Sequence, residues 1–170
     1  AWASLPAAEQ GEMEEAMAML TEAGAQGHID ANFKLGILLK DVRKDFDGAE
    51  AAYRAAIAAN PGHTNAHYNL GILLENVRKD FDGAEAAYRA AIAADPGYAD
   101  AHANLGVTFT LRAQQSEQGG GDMGSIAALW DRAVKHFAST VAMEGNGRNL
   151  RNLATARAER TRIRAAAHYD

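Results

Sequence analysis

Few residues in this chain are of a type and spacing that does chemistry, and most of those are better explained by structure. Asp45-Phe46-Asp47-Gly48, which returns as Asp80 to Gly83, has the acidic alternation of a calcium loop. Such a loop also needs further oxygen ligands at alternating positions and a Glu about twelve residues after the first. Ala49, Glu50 and Ala51 follow instead, so the stretch reads as a turn, with Asp47 and Asp82 capping the helices behind it. His63 and His67 stand four apart, the spacing that puts two imidazoles on one helix face toward a metal. No third ligand lies nearby, His63 falls in a turn, and His67 and His102 recur at the same place in a repeat. Partly buried packing is therefore the expected role, and no metal or other cofactor is expected.

Catalysis finds less support. The chain has no Cys, which excludes thiolate nucleophiles and disulfides alike. Gly119-Gly120-Gly121 neither follows a strand nor leads to the Lys that would hold a phosphate, and no nucleophile elbow is present. A non-enzymatic protein is expected. Charge is unevenly spread: residues 1–147 carry 11 Lys and Arg against 20 Asp and Glu, whereas 148–170 carry six Arg against Glu159 and Asp170. Arg148, Arg151, Arg157, Arg160, Arg162 and Arg164 would suit phosphates or an acidic partner. They lack interleaved aromatics before Tyr169, and the acidic body repels nucleic acid, so a solvated capping helix is expected and nucleic acid is not.

The elements that position these residues are duplicated. Leu35 to Ala59 (LGILLKDVRKDFDGAEAAYRAAIAA) returns as Leu70 to Ala94 (LGILLENVRKDFDGAEAAYRAAIAA), and Leu105-Gly106 opens a third copy at the same 35-residue step. A fixed period of this size marks a solenoid, in which each unit buries its apolar face only against its neighbours. In each copy Phe33 to Leu39, or its equivalent, is apolar nearly all round. The following stretch is apolar on one side, at Ala49, Ala52, Tyr53, Ala56 and Ile57, and Asn60-Pro61-Gly62 or Asp95-Pro96-Gly97 stops it. Asp30 is the expected cap of the helix from Ala31.

Outside the duplicated part, residues 1–11 read as a worn helix end with Ser4 as cap, Pro6 in a first turn and Gly11 as a turn. A helix over 12–25 follows, with Met13, Met17 and Met19 as a core stripe, ended by Gly24 and Gly27. Residues 113–125 are polar and Gly-rich, the composition of a flexible insertion. A helix then carries Ile126, Trp130, Ala133, Val134, Phe137 and Val141 on one face. Gly145-Asn146-Gly147 stops it, and a last helix from Arg148 to about Ala167 is apolar at Leu150, Leu153, Ala154 and Ala158.

Leu35-Gly36, Ala49-Tyr53-Ala56 and Pro61, repeated as Leu70-Gly71, Ala84-Tyr88-Ala91 and Pro96, resemble the tetratricopeptide repeat. Leu105-Gly106 with Ala133 and Phe137 extends the likeness, and Ala23 to Gly36 is similar to the Sel-like variant. The usual period is about 34 residues, and Lys44 and Lys79 are the extra residue. Thr140 stands where a small Ala is usual, and Gly145 replaces the Pro. The resemblance implies an all-α fold, a right-handed α-α superhelix of about three helix pairs plus a C-terminal capping helix. Its units would be a partial repeat at 1–28, repeats at 29–63, 64–98 and 99–147 (the last interrupted by the 113–125 insertion), and the Arg-rich helix and tail at 148–170.

The resemblance further implies that the first helix of each pair lines a concave groove, here Phe33, Lys34 and Ile37, then Asn65, Tyr68, Asn69 and Ile72, then Asp100, Asn104 and Val107. A partner protein or peptide segment would lie there. Asn69 and Asn104, at equivalent places, match the Asn ladder with which the O-linked N-acetylglucosamine transferase family holds an extended peptide backbone. An Asn amide both donates and accepts, so it pairs with any peptide bond. Members that hold the C-terminal carboxylates of heat-shock chaperones keep Lys, Asn and Arg at sites that are Phe33, Ile37, Asn69, Asp100 and Asn104 here, so only Asn69 survives. The competing expectation is a structural subunit, or the non-catalytic repeat domain of a larger assembly or enzyme, docking through its convex face or its Arg-rich helix. No membrane span is present, and a monomer or weak self-association is expected. A soluble protein, intracellular or organellar rather than secreted, is the expected setting.

Overall fold

Close contact between a glycine and an aromatic ring builds each helix pair. A Cβ on Gly36 would fall 2.5 Å from the Tyr53 ring, one on Gly71 2.6 Å from Tyr88, and one on Gly106 2.7 Å from Phe137. Only a residue without a side chain lets the second helix come this near the first. Ala49, Ala56, Ala84, Ala91 and Ala133 are fully buried around these rings, so the Leu-Gly and Ala-aromatic-Ala patterns are two halves of one contact.

The structure is a computed structural model that describes residues 2–144 and 147–167. The expected Gly145-Asn146 stop and Tyr169 lie outside the described residues. A short 3₁₀ turn, Trp2–Ser4, precedes α1 (Ala7–Ala25), α2 (Ile29–Leu38), α3 (Phe46–Ala59), α4 (Thr64–Leu73), α5 (Phe81–Ala94), α6 (Ala99–Gln118), α7 (Met123–Glu144) and α8 (Gly147–Ala166). The described residues hold helices and no strand, and the fold is an all-α superhelix in which α2/α3, α4/α5 and α6/α7 are the pairs. One apolar core runs unbroken from Ala49 and Tyr53 through Leu105 and Trp130 to Ile163.

The 35th residue is absorbed in a specific way. The first helix of each duplicated pair ends in a π-helical turn, Leu39–Arg43 or Leu74–Arg78, followed by Lys44 at φ 58° or Lys79 at φ 57°. A wider i→i+5 turn takes up one extra residue without moving the flanking helices. The αL lysine then reverses the chain. Asp45 and Asp80 cap the next helices by accepting from Gly48 N and Gly83 N, each at 2.9 Å. The caps are therefore not Asp47 and Asp82, which lie two residues further on within the first turn, because the αL residue ends the turn earlier than the charge pattern suggests. Asp30 likewise lies within the first turn of α2, behind His28.

Other expectations are corrected. Helix α1 runs straight through Gly11, with Pro6 at its N-cap position, because one interior glycine costs only about 1 kcal/mol and ends nothing by itself. The Gln10 amide donates to the carbonyls of Trp2 and Leu5 and ties down the leading turn. Gly24 is still helical, and Gly27 at φ 90° makes the stop. Met17 is buried, but Met19 is 65% exposed and leaves the core stripe. Most of 113–125 is not an irregular insertion: α6 continues to Gln118, Ala113 is fully buried, and only 119–122 form the turn before α7. Glu117 anchors this extension by accepting from the Trp130 indole at 3.1 Å. Thr140 is buried in place of the usual Ala, and its hydroxyl donates to the Phe137 carbonyl at 2.8 Å.

Candidate functional site

Burial along α8 shows what that helix is. Asn149, Leu153 and Ala156 are buried, with the spacing of Ala66, Leu70 and Leu73 in α4 and of Ala101, Leu105 and Thr108 in α6. Helix α8 thus packs in the register of a first helix, the fourth after α2, α4 and α6. Of the expected apolar residues Leu153 is buried, whereas Leu150, Ala154 and Ala158 are exposed, Leu150 by 50%. In this register Asn152 stands where Asn69 and Asn104 stand. The sequence signal was present: Asn152-Leu153-Ala154 repeats Asn69-Leu70-Gly71 and Asn104-Leu105-Gly106 with a small residue at the third place. The Arg-rich composition around it hid the likeness.

Helices α4, α6 and α8 enclose a cavity of about 470 Å³. Tyr68, Asp100, Asn104 and Val107 of the expected groove meet in its wall with Ala103; Arg148, expected only as part of the Arg-rich helix, joins them, and sequence reasoning missed Glu144, Asn149 and Asn152. Asn152 has no hydrogen-bond partner among the described residues. A smaller cavity of about 120 Å³ continues past Val107 and Asn152 to Thr155. The remaining expected residues lie further along the array. Phe33 packs 5.0 Å from the His63 ring and 6.1 Å from Tyr53, while Ile37 and Ile72 are half-buried against the core and Lys34 is exposed. Asn65 lines a separate edge cavity of about 640 Å³ with Asp30 and His63.

Side chains link the groove from one repeat to the next. Lys40 Nζ lies 3.5 Å from Asn69 Oδ1, and the Asn69 amide donates to the Asn65 carbonyl of its own helix at 2.9 Å. Asn104 donates to the Tyr68 hydroxyl at 3.3 Å, and the Tyr98 hydroxyl donates to Asn65 Oδ1 at 3.0 Å. Tyr98 also meets Tyr68 edge-on at 5.2 Å. Burial, then the Asp100 carboxylate, pushes the Tyr68 hydroxyl up to about 12, so it stays a neutral donor and acceptor at working pH. Below the groove, Glu75 is only 6% exposed, and Thr108 donates to its carboxylate. Desolvation raises its pKa, with the Thr108 bond opposing.

His63 and His67 serve the backbone. His63 Nδ1 accepts from Ala66 N at 3.3 Å, and His67 Nε2 lies 2.8 Å from the Pro61 carbonyl. Three of the six tail arginines are held internally: Arg160 and Arg164 by Asp131 of α7, and Arg162 by Glu117 and Glu159. No helix among the described residues is long and apolar enough to cross a membrane.

Residues 33–99 and 77–112 match the model of the tetratricopeptide repeat. No curated protein matches the sequence. The crystal structure of the MamA protein superposes with a TM-score of 0.69 at 18% identity, over 95% of this chain and 80% of that one. MamA 41-end from Desulfovibrio magneticus RS-1 gives 0.66 at 18%, over 94% and 82%. The first TPR of Spaghetti (RPAP3) bound to the HSP90 peptide SRMEEVD gives 0.52 at 17%, over 89% and 93%. These likenesses concern the fold, and the Sel-like character of the first unit has no counterpart among them.

Proposed function

We propose that the chain is a non-catalytic interaction scaffold that holds an extended segment of another protein in the groove lined by α2, α4, α6 and α8. The observation that carries this reading is Asn152, an unpartnered amide in the wall of the 470 Å³ cavity, one helix along from Asn104 at the equivalent place. Asn69, Asn104 and Asn152 then form three rungs, each able to donate to a peptide carbonyl and accept from a peptide N–H. The bonds that Asn69 and Asn104 make to Asn65, Lys40 and Tyr68 are exposed or half-exposed and exchangeable for a peptide's at little net cost. Beside the rungs, Phe33, Ile37, Tyr68, Ile72 and Val107 offer apolar contact.

Charge sets the direction of the segment. Lys34 and Lys40 suit an acidic or C-terminal residue at the α2 end, whereas the α6–α8 end carries both signs, Asp100 and Glu144 beside Arg148. The acidic chaperone peptide named with the Spaghetti structure is not the expected ligand, because Asn69 alone remains of the sites that hold such a carboxylate terminus.

The test is to select peptides from a random display library on the full chain and measure their affinity by calorimetry. Asn104→Ala with Asn152→Ala should weaken binding by about 1–3 kcal/mol, two lost hydrogen bonds, with the melting temperature unchanged. Equal affinity for parent and double variant would place the partner elsewhere.

A further inference from the structure

A second cavity, which shares no residue with the 470 Å³ cavity of the groove, lies between α3 and α5 above α4 and holds about 440 Å³. Arg54 and Ile57 of α3, His67 of α4, Leu74 of the π turn, and Gly83, Ala87 and Ala90 of α5 line it. The chain contains its own comparison, because the same place recurs one repeat further on, between α5 and α7 above α6. Counting from the equivalent Ala84 and Ala133, Gly83 becomes Arg132, Ala87 becomes His136 and Ala90 becomes Ser139. There the space is filled. Arg132 lies 5.5 Å over the Phe109 ring, His136 packs 5.7 Å from the same ring, and His136 Nδ1 is 3.1 Å from His102 Nδ1.

The two floor histidines are held alike. His67 Nε2 is 2.8 Å from the Pro61 carbonyl, and His102 Nε2 is 3.3 Å from the Pro96 carbonyl. A carbonyl only accepts, so Nε2 carries the proton in each neutral ring and Nδ1 presents a lone pair. For His102 that lone pair receives the His136 N–H. His67 has Ala87 opposite, and its Nδ1 has no partner among the described residues.

We propose that the α3–α5 cavity is a binding site for one flat aromatic ring carrying an N–H donor, of the indole class. Apart from Arg54, which is paired with Glu50, its walls are apolar; its one ring acceptor is His67 Nδ1, and its shape is the imprint of the imidazole that the neighbouring repeat supplies. Arg132 is missing as well as His136, which leaves room for a bicyclic ring. Indole N–H is a donor only, so it needs no tautomer to match an acceptor. The ring arrives either as a Trp side chain of another protein or as a free heterocycle. This site does not depend on the groove reading.

The test is two-dimensional amide NMR on the full chain, titrated with indole, 1-methylindole and N-acetyltryptophanamide. Indole should give saturable shifts confined to α3, α4 and α5, and 1-methylindole, which cannot donate, should bind about 2- to 10-fold more weakly, one hydrogen bond's worth. Ala87→His installs the ring that fills the equivalent site and should abolish the shifts while far-UV circular dichroism and melting stay as in the parent. His67→Phe keeps a ring but removes the acceptor, and should equalise the two indoles; it decides the matter even if Ala87→His folds poorly. N-acetyltryptophanamide binding as well as indole identifies a protein side chain as the source, and much weaker binding identifies a free heterocycle. No saturable shifts with any probe, equal binding of the two indoles to the parent, or undiminished binding to a folded Ala87→His protein would overturn the site.

Discussion

Acidification from pH 7 to pH 5 is expected to destabilise the fold through His136. Its ring lies against Phe109 and bonds His102, with Lys135 and Arg89 nearby. Burial, followed by the charges of His102, Lys135 and Arg89, lowers its pKa from 6.5 to about 4. In the unfolded chain the ring takes up a proton near its ordinary value, and in the folded chain it does so only near pH 4. Between those values the unfolded state binds more protons, so stability is complete above about pH 6.5 and is lost as pH falls toward 4. Two states with these pKa values differ by about 2 kcal/mol in proton binding between pH 7 and pH 5. The ring is half-buried rather than sealed, which reduces the expected loss to about 1 kcal/mol.

Urea unfolding followed by circular dichroism at pH 7, 6 and 5, on the parent and on His136→Gln, measures this. The glutamine amide still donates to His102 but does not titrate. Carboxylates shared by both proteins cancel in the difference, so the parent should lose about 1 kcal/mol more than the variant on acidification. Parallel pH profiles, or a parent that gains stability relative to the variant, would refute the argument that this ring is held neutral by its packing.

Gly71→Ala places a Cβ 2.6 Å from the fully buried Tyr88 ring and is expected to cost about 1–3 kcal/mol in thermal or urea unfolding, because a ring held on all sides cannot retreat. Leu70→Ala, at the seam between two repeats, should cost about 2–5 kcal/mol in the same assay. Glu75→Gln should raise stability at pH 7 by about 1 kcal/mol, since glutamine still accepts from Thr108 without a buried charge. The sign follows from the raised carboxyl pKa: the folded state holds the extra proton, stability falls as pH rises through that value, and the gain should vanish below pH 4.

The helix pairs were legible because one contact repeats, Gly71 against Tyr88 as Gly36 against Tyr53, and a 35-residue period leaves few other ways to bury it. The elements misread were those where local composition and tertiary burial disagree. Residues 113–118 look like a linker by composition, yet Ala113 is fully buried and Glu117 holds Trp130, so packing carries the helix to Gln118. The π turn before Lys79 has no periodic signature at all; it follows from an insertion placed between two helices whose ends are already fixed. Helix α8 was read from its apolar residues, Leu150, Leu153, Ala154 and Ala158, of which only Leu153 belongs to the buried seam of Asn149, Leu153 and Ala156. A first helix is recognised by which positions it buries, and an Asn at one of them outweighs a Leu beside it.

Near-identity of the repeats makes their differences informative. Positions that agree, such as Gly36 with Gly71 and Ala49 with Ala84, carry the packing that every unit needs. Among the positions that differ, two groups bear on binding. On the groove, Lys34 gives way to Asn69, Asn104 and Asn152, so at this register position one cation is followed by three amides. On the second helices, Gly83 and Ala87 give way to Arg132 and His136, so one cleft is open and the next is filled. A mechanism in which every repeat binds alike would predict neither change. Graded chemistry along one face and an open cleft on the other instead describe a scaffold with a defined direction and two separable contacts. The Asn104/Asn152 double variant and Ala87→His should therefore act independently, each leaving the other ligand's affinity within about 0.5 kcal/mol of the parent's, as distant sites with no shared partners do.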